Sequence, residues 1–350
     1  MEKPILSFFV GYTRDFINSD QGIFGAEIAL KNLAEELSLK YNVYIFGPCI
    51  EENYVGGVNY KNSVELEDFA RNYDIEVMIV HRYIYYFLEF EASIARKTYI
   101  WFHDIGAQHS WDFKKLPYGG RPLLKNNLQN IEKIIVLTKW HRNHVLAEYK
   151  LPEDKVEVIG NGVKEELMPG VKNKDSFIWF QSPDRGLMPL LKNFYKVREV
   201  LPTAVLDIYG DETWLLERGF DFKSMPNYIR HHGKVSNEEL LENLKNSEYW
   251  IYTLQGHETY CMAALEAQLA GCVCIATNST GLAETLGYGR RGILLDKEYN
   301  SDEYWNELIE NLKELERRPE LKEKYKEKAI DWAKKQTWKN KAKEWIELIR

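Results

Sequence analysis

Short apolar runs punctuate this chain, and most are followed by a polar break and then by apolar residues at helical spacing. Residues 5–11, 42–47, 76–81, 99–103, 134–138 and 156–159 each have the length and composition of one buried strand. Residues 22–38, 65–72 and 139–149 read as helices between them. Strands alternating with helices are the signature of a parallel sheet with crossover helices, and the pattern predicts a doubly wound α/β domain over residues 1–165. A polar break with Pro169 and Gly170, residues 165–175, reads as a linker. The pattern then restarts, with strands at 177–181, 204–210, 249–254 and 272–276 and helices at 186–199 and 238–246. Ser236, with Glu239 three residues on, reads as the N-cap of the second of these helices. A second Rossmann-like domain is expected over residues 173–335. Residues 301–350 read as helices broken at Pro319, the last of them rich in Lys and Trp.

Composition changes this picture little. Of the 350 residues 45% are apolar and 28% charged, as in a water-soluble globular protein. A net charge of −7 argues against a nucleic-acid binder held by broad phosphate neutralisation. Cys49, Cys261, Cys272 and Cys274 show no metal-ligand spacing and no disulfide framework, which fits buried thiols in the cytoplasm. The first residues, MEKPILSFFVGYT, hold too short an apolar run for a signal peptide, and no stretch is long enough to span a bilayer. The Lys run near the C-terminus reads as a solvated face around a packed Trp stripe, with peripheral membrane contact as the sharper reading.

In α/β domains ligands bind at the carboxyl ends of the strands, and two such domains are expected to face each other across a cleft. Gly22 and Gly25, His103 and Asp104, the segment from Ser182 to Gly186, Gly210 and Asp211, and the segment from Gly256 to Glu258 fall at those ends. Gly22 and Gly25 fit either a tight strand-to-helix turn or backbone amides facing an anion. His103 fits either a satisfied core histidine or a ligand contact, and Arg185 either a surface pair or an anion grip. Glu258 sits at an expected helix entrance, with Glu266 eight residues on. On one straight helix their backbones would be about 12 Å apart and about 80° out of line. That fits poorly the carboxyl separations of about 5–9.5 Å that hydrolases use, so two separate ligand contacts are the better reading.

The segment from Glu258 to Glu266 resembles the E-x7-E motif of the retaining glycosyltransferases of the GT-B fold, family 4. Other motifs follow in the family's order: GIFGAE its glycine-rich loop, WFHD its first-domain histidine, VLTKWHR a helix start, and IGNGV the turn before the linker. SPDRGL resembles its phosphate-binding turn, ALEAQLAGCVCIAT the stretch after the second Glu, and TGLAE a later loop.

The resemblance implies that Glu258 holds hydroxyls of a donor sugar and Glu266 the ribose of its nucleotide. Arg185 would bind the diphosphate, Gly25 would approach it through a backbone N–H, and His103 would sit near the reacting face of the sugar. Backbone groups of Thr259, Tyr260 and Cys261 would complete the donor site. The implied reaction passes a sugar from a nucleotide-diphospho-sugar, UDP- or GDP-linked, to a glycan or other hydroxyl acceptor. It retains anomeric configuration and needs no metal or other cofactor. Residues 336–350 would cross back to the first domain. The chain departs from the family pattern at the phosphate turn, where Ser182 and Arg185 supply one cation instead of two, and at His257 and Val273. A nucleotide-sugar epimerase of the same fold and a non-catalytic nucleotide-sugar binding protein are the alternatives.

Overall fold

A computed structural model describes residues 3–11, 25–49, 53–106, 121–217 and 224–350; Gly22 and the first part of GIFGAE lie outside the described residues. The chain divides into two compact units, Met1–Gly162 with Trp338–Arg350, and Val163–Thr337.

The first unit is built on an eight-stranded sheet. Its strands are β1 (Ile5–Val10), β2 (Asn42–Gly47), β3 (Asn53–Val55), β4 (Val58–Asn62), β5 (Ile75–His81), β6 (Lys97–Trp101), β7 (Ile134–Val136) and β8 (Val156–Val158), in the order β3-β4-β2-β1-β5-β6-β7-β8. Every pairing is parallel except β3 with β4. Apart from that hairpin the strand order reverses at β1, a doubly wound topology. The central strands β1 and β5 are almost wholly buried, as parallel strands covered on both faces must be.

The pattern of apolar positions did not reveal the β3–β4 hairpin. Its edge strand Asn-Tyr-Val is exposed throughout, so nothing in it alternates. Its turn is carried by Gly56 and Gly57, both at positive φ. The helix expected at residues 22–38 runs over Gly25–Leu37, and Thr138 caps the helix Lys139–Tyr149 by accepting from the His141 N–H.

The second unit has a six-stranded, all-parallel sheet. Its strands are β9 (Asn173–Trp179), β10 (Val205–Ile208), β11 (Ile229–His231), β12 (Ser247–Tyr252), β13 (Val273–Thr277) and β14 (Ile293–Leu295), in the order β11-β10-β9-β12-β13-β14. Here too the order reverses, between β9 and β12. Strand β9 starts four residues ahead of the apolar run at Phe177. The Glu248 carboxylate accepts the Asp175 N–H at 2.7 Å, which holds the polar residues before Phe177 in the sheet. Ser236 caps the helix Asn237–Asn246 through the Glu239 N–H. Two helices, Asp302–Arg317 and Pro319–Ala333, meet at Pro319.

The chain enters and leaves the second unit at one place. Val163 and Thr337 form a parallel bridge, and the Val163 N–H donates to the Gln336 carbonyl at 2.8 Å. The last helix, Trp338–Ile349, then belongs to the first unit. Gly162 lies against the start of this helix, where an added Cβ would come within 2.7 Å of the Trp338 backbone nitrogen. Trp345 is 1% exposed and packs edge-on against Trp101 at 5.3 Å. Lys97 Nζ donates to the Ile349 carbonyl at 2.9 Å, a cation on a helix C-terminus. The tryptophans of this helix are therefore core. Among the described residues no helix is long and apolar enough to cross a membrane.

Removing the larger of these contacts should be costly. Trp345→Ala leaves a cavity beside Trp101 and should lower the unfolding free energy by about 3–5 kcal/mol in chemical denaturation.

Candidate functional site

In the second unit the candidate residues gather at the carboxyl ends of β9 and β12. Beyond β9 the chain makes a short turn, Pro183–Arg185, and then Gly186 adopts φ +113° before the helix Leu187–Val200. A Cβ on Gly186 would stand 1.8 Å from the Thr253 carbonyl oxygen. Only glycine allows this approach. Thr253 Oγ1 donates to the Gly186 carbonyl at 2.7 Å, and the Gln255 N–H donates to the Arg185 carbonyl at 3.2 Å. Arg185 is thereby held over the loop that follows β12.

On that loop is Glu258. Its Oε1 accepts from Arg185 Nη1 at 2.7 Å and from the Tyr252 hydroxyl at 2.9 Å. Its backbone is held from the other side: the Glu258 N–H donates to Thr280 Oγ1 at 2.9 Å, and the Gly281 N–H donates to the Glu258 carbonyl at 2.9 Å. Arg185 also makes a longer contact, 3.4 Å, with the His257 carbonyl. Burial and the Glu258 charge are the largest influences on the guanidinium, and the net effect raises its pKa, so it stays a cation.

The helix expected to begin at Glu258 begins instead at Met262 and ends at Leu269. Residues 256–261 are an irregular loop, and Cys261 closes it at φ +73° without a side-chain cap on the helix. The separation and angle derived for a continuous helix from Glu258 to Glu266 therefore do not hold. Glu258 lies on the loop and Glu266 on the helix. The uncapped helix start leaves backbone N–H groups that suit an anion. Thr259, Tyr260 and Cys261 are buried, so what this stretch can offer a ligand is its main chain. Glu266 is half-buried, and burial pushes its carboxyl up to about 7.

The other two candidates belong to the first unit. Gly25 is the first described residue of the helix Gly25–Leu37, and His103 follows the end of β6. Sequence reasoning overlooked what ties these segments together. Arg82, at φ +67°, donates to Glu27 Oε1 at 2.7 Å and grips both carboxylate oxygens of Asp104 at 2.8 and 3.1 Å. Glu27 stands in the first turn of the Gly25 helix and Asp104 directly follows His103, so Arg82 fixes one segment against the other. The His103 ring lies 4.8 Å from that of His81 and 4.4 Å from that of Trp101. Burial, then the neighbouring His81, Arg82 and His141, hold its pKa well below the usual histidine value, so the ring is neutral near pH 7. Among the described residues no group of three or more His, Cys, Asp or Glu could hold a metal ion, and the four cysteines form no disulfide.

Comparison with known proteins identifies the family. Residues 181–332 match the family model described as glycosyl transferases group 1, and residues 25–167 match glycosyltransferase family 4. An uncharacterised glycosyltransferase of Methanocaldococcus jannaschii is 25% identical over 228 residues, 63% of this chain and 59% of that protein. The D-inositol 3-phosphate glycosyltransferase of Paenarthrobacter aurescens is 23% identical over 51% of this chain and 48% of its own length. The chain thus spans about half the length of the curated relatives it matches. Among solved structures, a glycosyltransferase from Rickettsia africae superposes with a TM-score of 0.75 at 15% identity, over 100% of this chain and 98% of that one. Anabaena HepE in complex with UDP superposes with a TM-score of 0.74 at 13% identity, over 98% of each chain. With one family model on each unit and whole-chain structural likeness, the protein belongs to the group 1 glycosyltransferases of GT-B fold.

Proposed function

We propose that the chain is a retaining, metal-independent glycosyltransferase that moves a sugar from a UDP- or GDP-linked donor to a hydroxyl of a glycan or another acceptor. The observation that carries this reading is the meeting of Arg185 and Glu258 at 2.7 Å, at the carboxyl ends of strands β9 and β12. A permanent cation beside a carboxylate suits a ligand with a diphosphate next to a polyhydroxyl ring. The guanidinium matches phosphate oxygens, and the carboxylate accepts from hydroxyls.

In the reaction the bond from the anomeric carbon to the diphosphate breaks and one to the acceptor oxygen forms, while the acceptor proton passes to the departing diphosphate. Charge builds up on that leaving group, and Arg185 is the positive group that stabilises it. Backbone amides at the head of the helix Met262–Leu269 add to the same effect. Glu258 holds the sugar and Glu266 the ribose. In the first unit, the Gly25 backbone N–H suits an anion and the neutral His103 ring suits a hydroxyl. UDP heads the list of nucleotides to test because solved proteins of like fold carry it. A cytoplasmic location fits four buried thiols without a disulfide.

Glu266 ties this reading to stability. Its folded carboxyl holds a proton up to about 7, against 4.5 for the ordinary group. The folded state therefore binds the proton more tightly than the unfolded chain. The contribution of this carboxyl to stability is fully present below pH 4.5, falls as pH rises from there, and is lost above about 7. An acceptor that is uncomfortable as a charge in the empty protein is suited to ribose hydroxyls that satisfy it on binding.

Three outcomes are expected. Arg185→Ala should weaken UDP or GDP binding about ten- to a hundredfold, the worth of a hydrogen bond to a charged group; unchanged affinity in calorimetric titration would remove its assigned role. Glu266→Gln should raise the melting temperature at pH 7 relative to pH 4.5, compared with the parent protein over the same range without nucleotide. Sugar transfer should persist in excess EDTA, and loss of activity that Mg²⁺ or Mn²⁺ restores would show that metal is required.

A further inference from the structure

The two oxygens of the Glu258 carboxylate are not equivalent. Oε1 takes both the Arg185 guanidinium at 2.7 Å and the Tyr252 hydroxyl at 2.9 Å, which fills the two lone-pair sites that a carboxylate oxygen offers. Among the described residues Oε2 receives no hydrogen bond, and 18% of the side chain is exposed. The backbone on either side is held through Thr280 and Gly281, so the carboxylate has few ways to turn.

Tyr252 is unusually well placed to hold it. It is the last residue of β12, has no exposed surface, and packs between Trp179 at 5.4 Å and Trp250 at 5.5 Å. The ring cannot move without disturbing two buried indoles. Burial and the adjacent Glu258 charge push the phenol pKa far up, so the hydroxyl remains a donor throughout the working pH range. Arg185 is different: 43% of its side chain is exposed, and it can exchange its carboxylate for a phosphate.

We propose that Tyr252 is the positioning residue for Glu258, occupying Oε1 so that Oε2 alone meets the donor sugar, at a single hydroxyl. This rests on reading Glu258 as the sugar-binding carboxylate. On donor binding Arg185 is free to turn to the diphosphate while Tyr252 keeps the carboxylate in place. Sugar recognition thereby depends on a hydroxyl at the end of a core strand that itself touches no ligand.

The test uses the whole protein with Tyr252→Phe, Glu258→Gln and the double variant, titrated calorimetrically with UDP, UDP-glucose, GDP and GDP-mannose. Phenylalanine keeps the packing between the two tryptophans, and a melting temperature within a few degrees of the parent will confirm the fold. In Tyr252→Phe the preference for the nucleotide-sugar over its own nucleoside diphosphate should fall about tenfold or more, with nucleoside diphosphate affinity unchanged within about twofold. In the Glu258→Gln background the same substitution should add nothing, because the two side chains act as one unit. Equal losses for nucleotide and nucleotide-sugar, or an undiminished loss in the Glu258→Gln background, would overturn the role of Tyr252 alone. Failure of all four compounds to bind the parent protein would overturn the transferase reading, and this inference with it.

Discussion

The candidate donor site depends on one close approach of main chain to main chain. At Gly186 the backbone passes so near the Thr253 carbonyl that no side chain could stand between them. The turn after β9 is thus laid directly on the end of β12. Because the two strands are parallel neighbours, their carboxyl ends emerge side by side, and the approach brings the residues just beyond them into hydrogen-bonding range. Arg185 meets Glu258 for that reason, not because of any attraction strong enough to draw two half-exposed groups together. An ion pair of this exposure is worth little by itself; the backbone supplies the geometry.

The first unit meets the same need for order by a different means. Its strand ends carry a largely buried ionic group, Arg82 between Glu27 and Asp104. A buried cation left with one partner is expensive, so the three residues stand or fall together. Arg82 also tolerates a backbone conformation that non-glycine residues rarely adopt. Such an outlier beside two candidate ligand segments marks a place where position has been favoured over relaxed geometry.

The architecture was legible from the apolar runs, because strands buried on both faces leave short blocks of Ile, Val, Phe and Trp that polar helices separate. The hairpin at residues 53–62 was not, since an exposed edge strand has no face to mark. At the site, Glu258, Glu266 and Arg185 could be singled out by residue type and order. Their surroundings could not. Tyr252 reads as one more aromatic in a core strand, and nothing in the pattern says that its hydroxyl reaches a carboxylate. Arg82 finds partners 22 and 55 residues away, a relation that only the completed sheet creates. The helix boundary misread at Glu258 has a similar cause: Cys261 adopts a left-handed conformation that its residue type gives no reason to expect.

The single crossing between units, where Val163 meets Thr337 and Gly162 meets Trp338, bears on how the protein is made. The second unit is a continuous insertion, complete once residue 337 has left the ribosome. The first unit lacks the helix Trp338–Ile349 until the inserted unit has been made, so Trp101 waits for its partner Trp345 while some 175 residues are added. Domains usually fold in the order in which they are translated. Here the unit that begins first is completed after the one it encloses, and the Trp101–Trp345 contact forms only then.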